Sequence, residues 1–113
     1  MPALVITYPG LSAVAREVRE APESHPAIMH ADELETSIML ALHPDRVRMD
    51  DAVAEYPEYP PHFDAAAVRW DTVSDSGVFG DATAATPAKG EALVSRVVDT
   101  AASLISDWKK VVL

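Results

Sequence analysis

No cysteine occurs among the 113 residues, so a disulfide framework, a thiolate metal site and a cysteine nucleophile are all excluded. Glycine is also scarce, with four in the chain, and none falls in a P-loop, a GxGxxG array or a GxSxG elbow. Positive charge is short as well: nine Lys and Arg face eighteen Asp and Glu, for a net charge of −9. A surface of that sign repels phosphate backbones and anionic lipid, so neither nucleic acid nor a membrane surface is expected as a partner, and solubility accounts for the charge. Nowhere do about 18 apolar residues run together as a membrane span requires. The segment MPALVITYPG lacks the basic region and long apolar core of a secretory signal, which makes the cytoplasm the expected location.

What is present is a hydrophobic content of 49%, typical of globular chains, in a length that supports one domain with a modest core, residues 1–113. Residues 3–8, ALVITY, form a β-branched and aromatic run stopped by Pro9-Gly10, and predict an interior strand. Leu11, Val14, Ala15 and Val18 then fall at helical spacing, with Arg16, Glu17, Arg19 and Glu20 on the wet side. Residues 21–29 read as a loop, residues 57–61 (PEYPP) as an extended surface arm, residues 67–73 (AVRWDTV) as a second strand, and residues 73–77 as a turn. Toward the carboxyl end, Thr86 suits an N-cap and Pro87 a first helical position. Leu93, Val97, Ala101, Leu104, Trp108 and Val111 then continue as one apolar stripe, so a helix over 87–112 is expected to lie across the sheet. The fold class is therefore α/β, with a long C-terminal helix, and two strands are too few to cover it.

The segment His30-Ala31-Asp32-Glu33-Leu34-Glu35-Thr36-Ser37 places a histidine and three acids before the apolar run Ile38-Met39-Leu40-Ala41-Leu42, which His43-Pro44 ends. A helix over 31–42 with so apolar a second half must be buried, which fixes its polar first turn at a cleft or a partner. Acids there also suit the helix dipole, a structural reading that applies to Asp32 above all. Imidazole takes and gives a proton near neutrality, so His30 is the candidate for chemistry. His25, His43 and His62 read as ordinary surface histidines.

The block HADELETSIMLALHPDRV resembles the HAGExETSxMLxLxPxxV block of the creatininase family of metal-dependent amidohydrolases. Residues 76–81 (SGVFGD), followed by ATAAT and by Lys89-Gly90-Glu91, are similar to that family's SGVxGDPxxAT…KGE segment. The resemblance covers nearly the whole chain but only the C-terminal half of a family member, and Asp32 stands where the family block has glycine. It implies a partial, creatininase-like layered α/β fold. It also implies His30, Glu33 and Glu35 as catalytic residues, with His30 shuttling a proton to a leaving nitrogen and the two acids orienting that histidine or a metal-bound water. Zinc or manganese is the implied cofactor and a small cyclic amide the implied substrate. The family's metal-bearing segments, of the EQHGPHLP…D and HGGN kinds, have no counterpart in this sequence. Two functions follow. One is an amidohydrolase whose metal-bearing half comes from another chain; the other is a non-catalytic remnant serving as an oligomerisation or binding module. Either way a homo-oligomer or a complementary chain is expected.

Overall fold

The computed structural model describes residues 1–112, and its three α-helices arise where apolar residues recur at helical spacing. Helix α1 (Leu11–Val18) turns Val14 inward, with Leu11, Ala15 and Val18 packed beside it. Helix α2 (Glu33–Leu42) begins two residues later than the motif suggests. Ala31 has a φ of 50° and Asp32 is extended, and the Asp32 side chain caps the helix by accepting from the N–H groups of Leu34 and Glu35. Helix α3 spans Pro87–Val112, as its cap and stripe predict. The Thr86 hydroxyl accepts from Lys89 N–H at 3.2 Å, and Lys109 and Lys110 lie in the last turn, where the helix dipole favours cations.

The core sits where the three helices converge, on Val14, Leu34 and Leu93, each at most 2% exposed. Helix α2 crosses the first half of α3 with almost no space between backbones. A Cβ added at Gly90 would lie 1.8 Å from the Ser37 carbonyl oxygen, so only glycine permits the crossing. The Ser37 hydroxyl secures it, donating to Glu33 O at 2.5 Å and accepting from Thr86 N–H at 3.0 Å.

Two short strands complete the mixed α/β architecture. β1 (Ala54–Glu55) and β2 (Gly80–Asp81) pair antiparallel, with Ala54 opposite Asp81 and Glu55 opposite Gly80. Neither expected longer strand forms. Residues 3–8 are exposed throughout and belong to no sheet, and Tyr8 at their end turns left-handed with a φ of 42°; a strand needs a hydrogen-bonded neighbour, and the described residues supply none. Within 67–73 the chain instead winds into a 3-10 turn at Trp70–Thr72. There the Arg69–Asp71 ion pair and the Thr72 hydroxyl bonded to Arg69 O at 2.7 Å close the turn locally.

The α3 stripe is buried only in part. Leu93 is covered and Val97, Ala101 and Trp108 half-covered, yet Leu104 is 43% and Val111 84% exposed. Helices α1 and α2 reach only the first half of α3, and the apolar second half of α2 is likewise half open, with Leu42 53% exposed. The radius of gyration is 16.5 Å, against about 13 Å for a compact domain of this length. No helix among the described residues is long and apolar enough to cross a membrane.

The helix crossing is the most exacting packing constraint in the chain. Gly90→Ala is expected to destabilise the fold by about 3 kcal/mol, because the backbone carbonyl it strikes cannot rotate away. Chemical denaturation will measure this, and a loss under about 0.5 kcal/mol, the scale of an ordinary surface change, will show that α2 and α3 are not locked at this point.

Candidate active site

The polar first turn of α2 faces two ways, and this divides the candidate residues. Asp32 and Glu33 point into the molecule; His30 and Glu35 point out. The Glu33 carboxylate is fully buried and accepts from Glu20 N–H at 2.9 Å, from Ala21 N–H at 2.9 Å and from Lys89 Nζ at 2.7 Å. Lys89 Nζ also donates to Glu20 Oε2 at 2.8 Å and to Ala84 O at 2.7 Å. Asp32 pairs with Arg19 at 3.1 Å in addition to capping α2. The carboxylates of Asp32 and Glu33 thus tie the end of α1 to the starts of α2 and α3. Asp32, at the family's glycine position, uses an ordinary φ of −83°, and the left-handed residue is its neighbour Ala31.

His30 and Glu35 come together on the other side. Because Ala31 is left-handed, its N–H reaches back to Glu35 Oε2 at 2.6 Å, a variant of the capping box. The same Oε2 lies 3.8 Å from His30 Nδ1, an ion-pair contact once the imidazole is protonated, and both side chains are about two-fifths exposed. The backbone of His30 is pinned by Phe79, whose N–H donates to His30 O at 3.1 Å. The next residue, Gly80, has a φ of 133° and lies so close to Asp32 that a Cβ would approach the Asp32 Cβ to 3.1 Å.

Rings then fix the imidazole plane. Trp70 meets His30 edge-on at 4.8 Å between centroids, Phe79 at 5.8 Å, and Trp70 and Phe79 lie 5.3 Å apart. Phe79 continues to Tyr59 at 6.1 Å, and Tyr59 to His25 at 4.6 Å and Phe63 at 4.8 Å. The surface-histidine reading of His25 is thereby corrected: it is half-buried in this cluster. Its Nδ1 accepts from Ala27 N–H at 3.1 Å, which places the proton on Nε2, 3.3 Å from Asp64 Oδ1. His43 and His62 are exposed, as expected. The proline arm is not a free surface feature either, since Tyr59 bonds Ser24 Oγ at 2.5 Å and packs inward.

The segment carrying Trp70 and Phe79 is anchored by Glu55, whose carboxylate accepts from Asp75 N–H and Ser76 N–H at 2.9 Å each and from the Ser76 hydroxyl. Those bonds hold the Glu55 carboxyl down at about 2. Glu35 and Ala31 open into a cleft of about 850 Å³ whose wall includes Tyr8, Met29, Ile38, Met39 and Met49. Among the described residues, no three His, Asp or Glu side chains converge as a metal site demands. His30 and Glu35 offer two donors.

Sequence reasoning missed Lys89 as the partner of Glu33, and Trp70, Phe79 and Tyr59 as the setting of His30. A signal was available, because five of the seven aromatic residues (Tyr56, Tyr59, Phe63, Trp70 and Phe79) lie between positions 56 and 79.

A model of the creatininase family, described as creatinine amidohydrolase, matches residues 3–105. The mycofactocin precursor peptide peptidase of Mycolicibacterium smegmatis is 36% identical over 84 residues, covering 71% of this chain and 33% of that protein. Among solved structures, a creatininase variant of the Zn-Zn type and one complexed with creatine each align with 30% identity and a TM-score of 0.74, over 92% of this chain and 42% of theirs. A manganese creatininase aligns at 28% identity with a TM-score of 0.68. The chain thus spans a third to two-fifths of the length of these relatives.

Burial raises the Glu33 carboxyl, but the hydrogen bonds from Lys89, Glu20 and Ala21 outweigh it, and the net shift is downward from 4.5. A depressed carboxyl stabilises the fold above its unfolded value and loses that contribution as pH falls through the folded one. Acid destabilisation from this group therefore sets in below about pH 4.5. Glu33→Gln is expected to cost about 3 kcal/mol at pH 7 and to take up about one proton fewer on acid unfolding, measured by denaturation across pH. An unchanged proton uptake will refute the assignment.

Proposed function

The chain belongs to the creatininase family, and on that premise we propose that it forms part of an amidohydrolase that breaks an amide C–N bond with water. The observation that carries this reading is the outward pair: a His30 imidazole packed edge-on against Trp70 and Phe79, with Glu35 Oε2 3.8 Å from Nδ1. In such a hydrolysis water adds its oxygen to the carbonyl carbon and gives up a proton. The leaving nitrogen must gain a proton for the C–N bond to break. His30 carries that proton from one site to the other, and Glu35 steadies the imidazolium while it does so. Glu33 contributes by position, since its bonds to Glu20, Ala21 and Lys89 fix the turn on which His30 and Glu35 stand.

The relatives include zinc and manganese creatininases, and a divalent metal suits amide hydrolysis. The donors on this chain do not fit that role by themselves, and the proposal assigns the metal's ligands to the part of the family fold that this chain does not span. A small cyclic amide is the proposed substrate by analogy with the creatininases. The peptidase relative makes a linear peptide amide the competing one. A second reading, a non-catalytic binding module, draws on the inward engagement of Glu33 and on the two-donor count.

The test is to assay the chain in complex with a metal-bearing creatininase segment, with Zn²⁺ or Mn²⁺ present, on creatinine and on a short peptide. His30→Gln is expected to lower kcat by about 10²- to 10⁴-fold while metal content stays constant, because a proton carrier is not a ligand. Full turnover in the variant, or metal lost together with His30, will overturn the assignment. A metal-loaded complex inert on both substrates will favour the binding module.

A further inference from the structure

We propose that the second half of α3 is a self-association face, and that its occupant is the same helix of a second copy of this chain, running antiparallel to the first. The inference goes beyond the catalytic reading and does not depend on it.

Past Leu93 the helix carries a second periodicity that its own fold does not use. Val98, Ala101, Ile105, Trp108 and Val112 recur at steps of three and four residues, the seven-residue repeat by which two helices pack side by side. Val98 is 57%, Ile105 39% and Val112 38% exposed, while Ala101 and Trp108 are half-covered. Leu104 and Val111, seven residues apart, widen the seam on one flank and are exposed as well. Apolar residues scattered over a surface are ordinary, whereas a row at this spacing along about 21 Å of helix is shaped for another helix.

Charge and side-chain size choose the occupant. The chain carries a net charge of −9, yet between residues 98 and 112 acids and bases balance, Asp99 and Asp107 against Lys109 and Lys110. Two such helices therefore approach without net repulsion from the seam itself. In an antiparallel pair with its two-fold axis beside Leu104, each copy's Trp108 faces Val98 of the other and each Ile105 faces Ala101, so every large side chain meets a smaller one. Parallel pairing would set Trp108 on Trp108 and Ala101 on Ala101, crowding one layer and hollowing another. The antiparallel register also brings Asp99 of one copy beside Lys109 of the other, twice over, as a two-fold interface requires. Both residues are exposed, and among the described residues neither takes part in an ion pair. Opposed helix dipoles favour the same arrangement.

The experiment is sedimentation equilibrium on the full chain from about 1 to 200 μM, a range that brackets the weak dissociation constant of a contact at the small end of specific interfaces. The chain is expected to pass from monomer to dimer, and no further, over that range. Ile105→Glu raises the dissociation constant by about 100-fold and leaves the thermal midpoint of the dilute chain unchanged, because Ile105 is already partly exposed there. Asp99→Lys and Lys109→Asp, at exposed positions, each weaken the dimer by about 10-fold. An equimolar mixture of those two variants regains the original affinity, because both contacts then join opposite charges again. A monomer at every concentration, a dimer that Ile105→Glu leaves intact, or a mixture no tighter than its components will each overturn the proposal.

Discussion

A carboxylate with no access to water holds this molecule together. Glu33 is taken out of solvent at a cost of several kcal/mol, and the structure meets that cost with two backbone N–H groups and the Lys89 ammonium. Those donors come from the segment after α1 and from the first turn of α3. A single side chain on α2 therefore cross-links three helices that share a core of only three fully buried residues. Its position also decides which way the turn 30–35 faces, since turning Glu33 inward leaves His30 and Glu35 outward.

The sequence blocks that resemble the creatininase family are, in three dimensions, the two halves of one contact. His30 bridges to Phe79, Asp32 abuts Gly80, Glu33 pairs with Lys89, and Ser37 meets both Thr86 and Gly90. Most of the motif is therefore scaffold. The residues free to do chemistry are what remains after that scaffold is satisfied, and they are few: an imidazole, a carboxylate and an aromatic wall. The proposal reads His30 and Glu35 as a proton-handling pair, with Glu35 on the wall of the cleft, and the shortage of further donors is why that proposal looks to a completing partner.

The apolar surface left open follows from the same economy. Helices α1 and α2 pack on α3 around Leu93, while further along it Leu104, Ile105 and Val111 stay 43%, 39% and 84% exposed. The β-branched run at residues 3–8 is left unpaired for the corresponding reason, since a strand is a relation between two segments and the described residues supply only one.

The amino-acid sequence alone determined what depends on neighbours along the chain. Helical spacing placed α1 and α3, Thr86 and Pro87 began α3, and the two motif blocks identified the family, because caps and apolar periodicity act over a few residues. Only the tertiary structure decided what depends on distant partners. It turned Glu33 to Lys89, 56 positions away, and set His30 against Trp70 and Phe79. It put a 3-10 turn where residues 67–73 favoured a strand, and left residues 3–8 unpaired. Propensity states what a segment tolerates, whereas burial, pairing and orientation require the other surface to be present, and no local pattern specifies that surface.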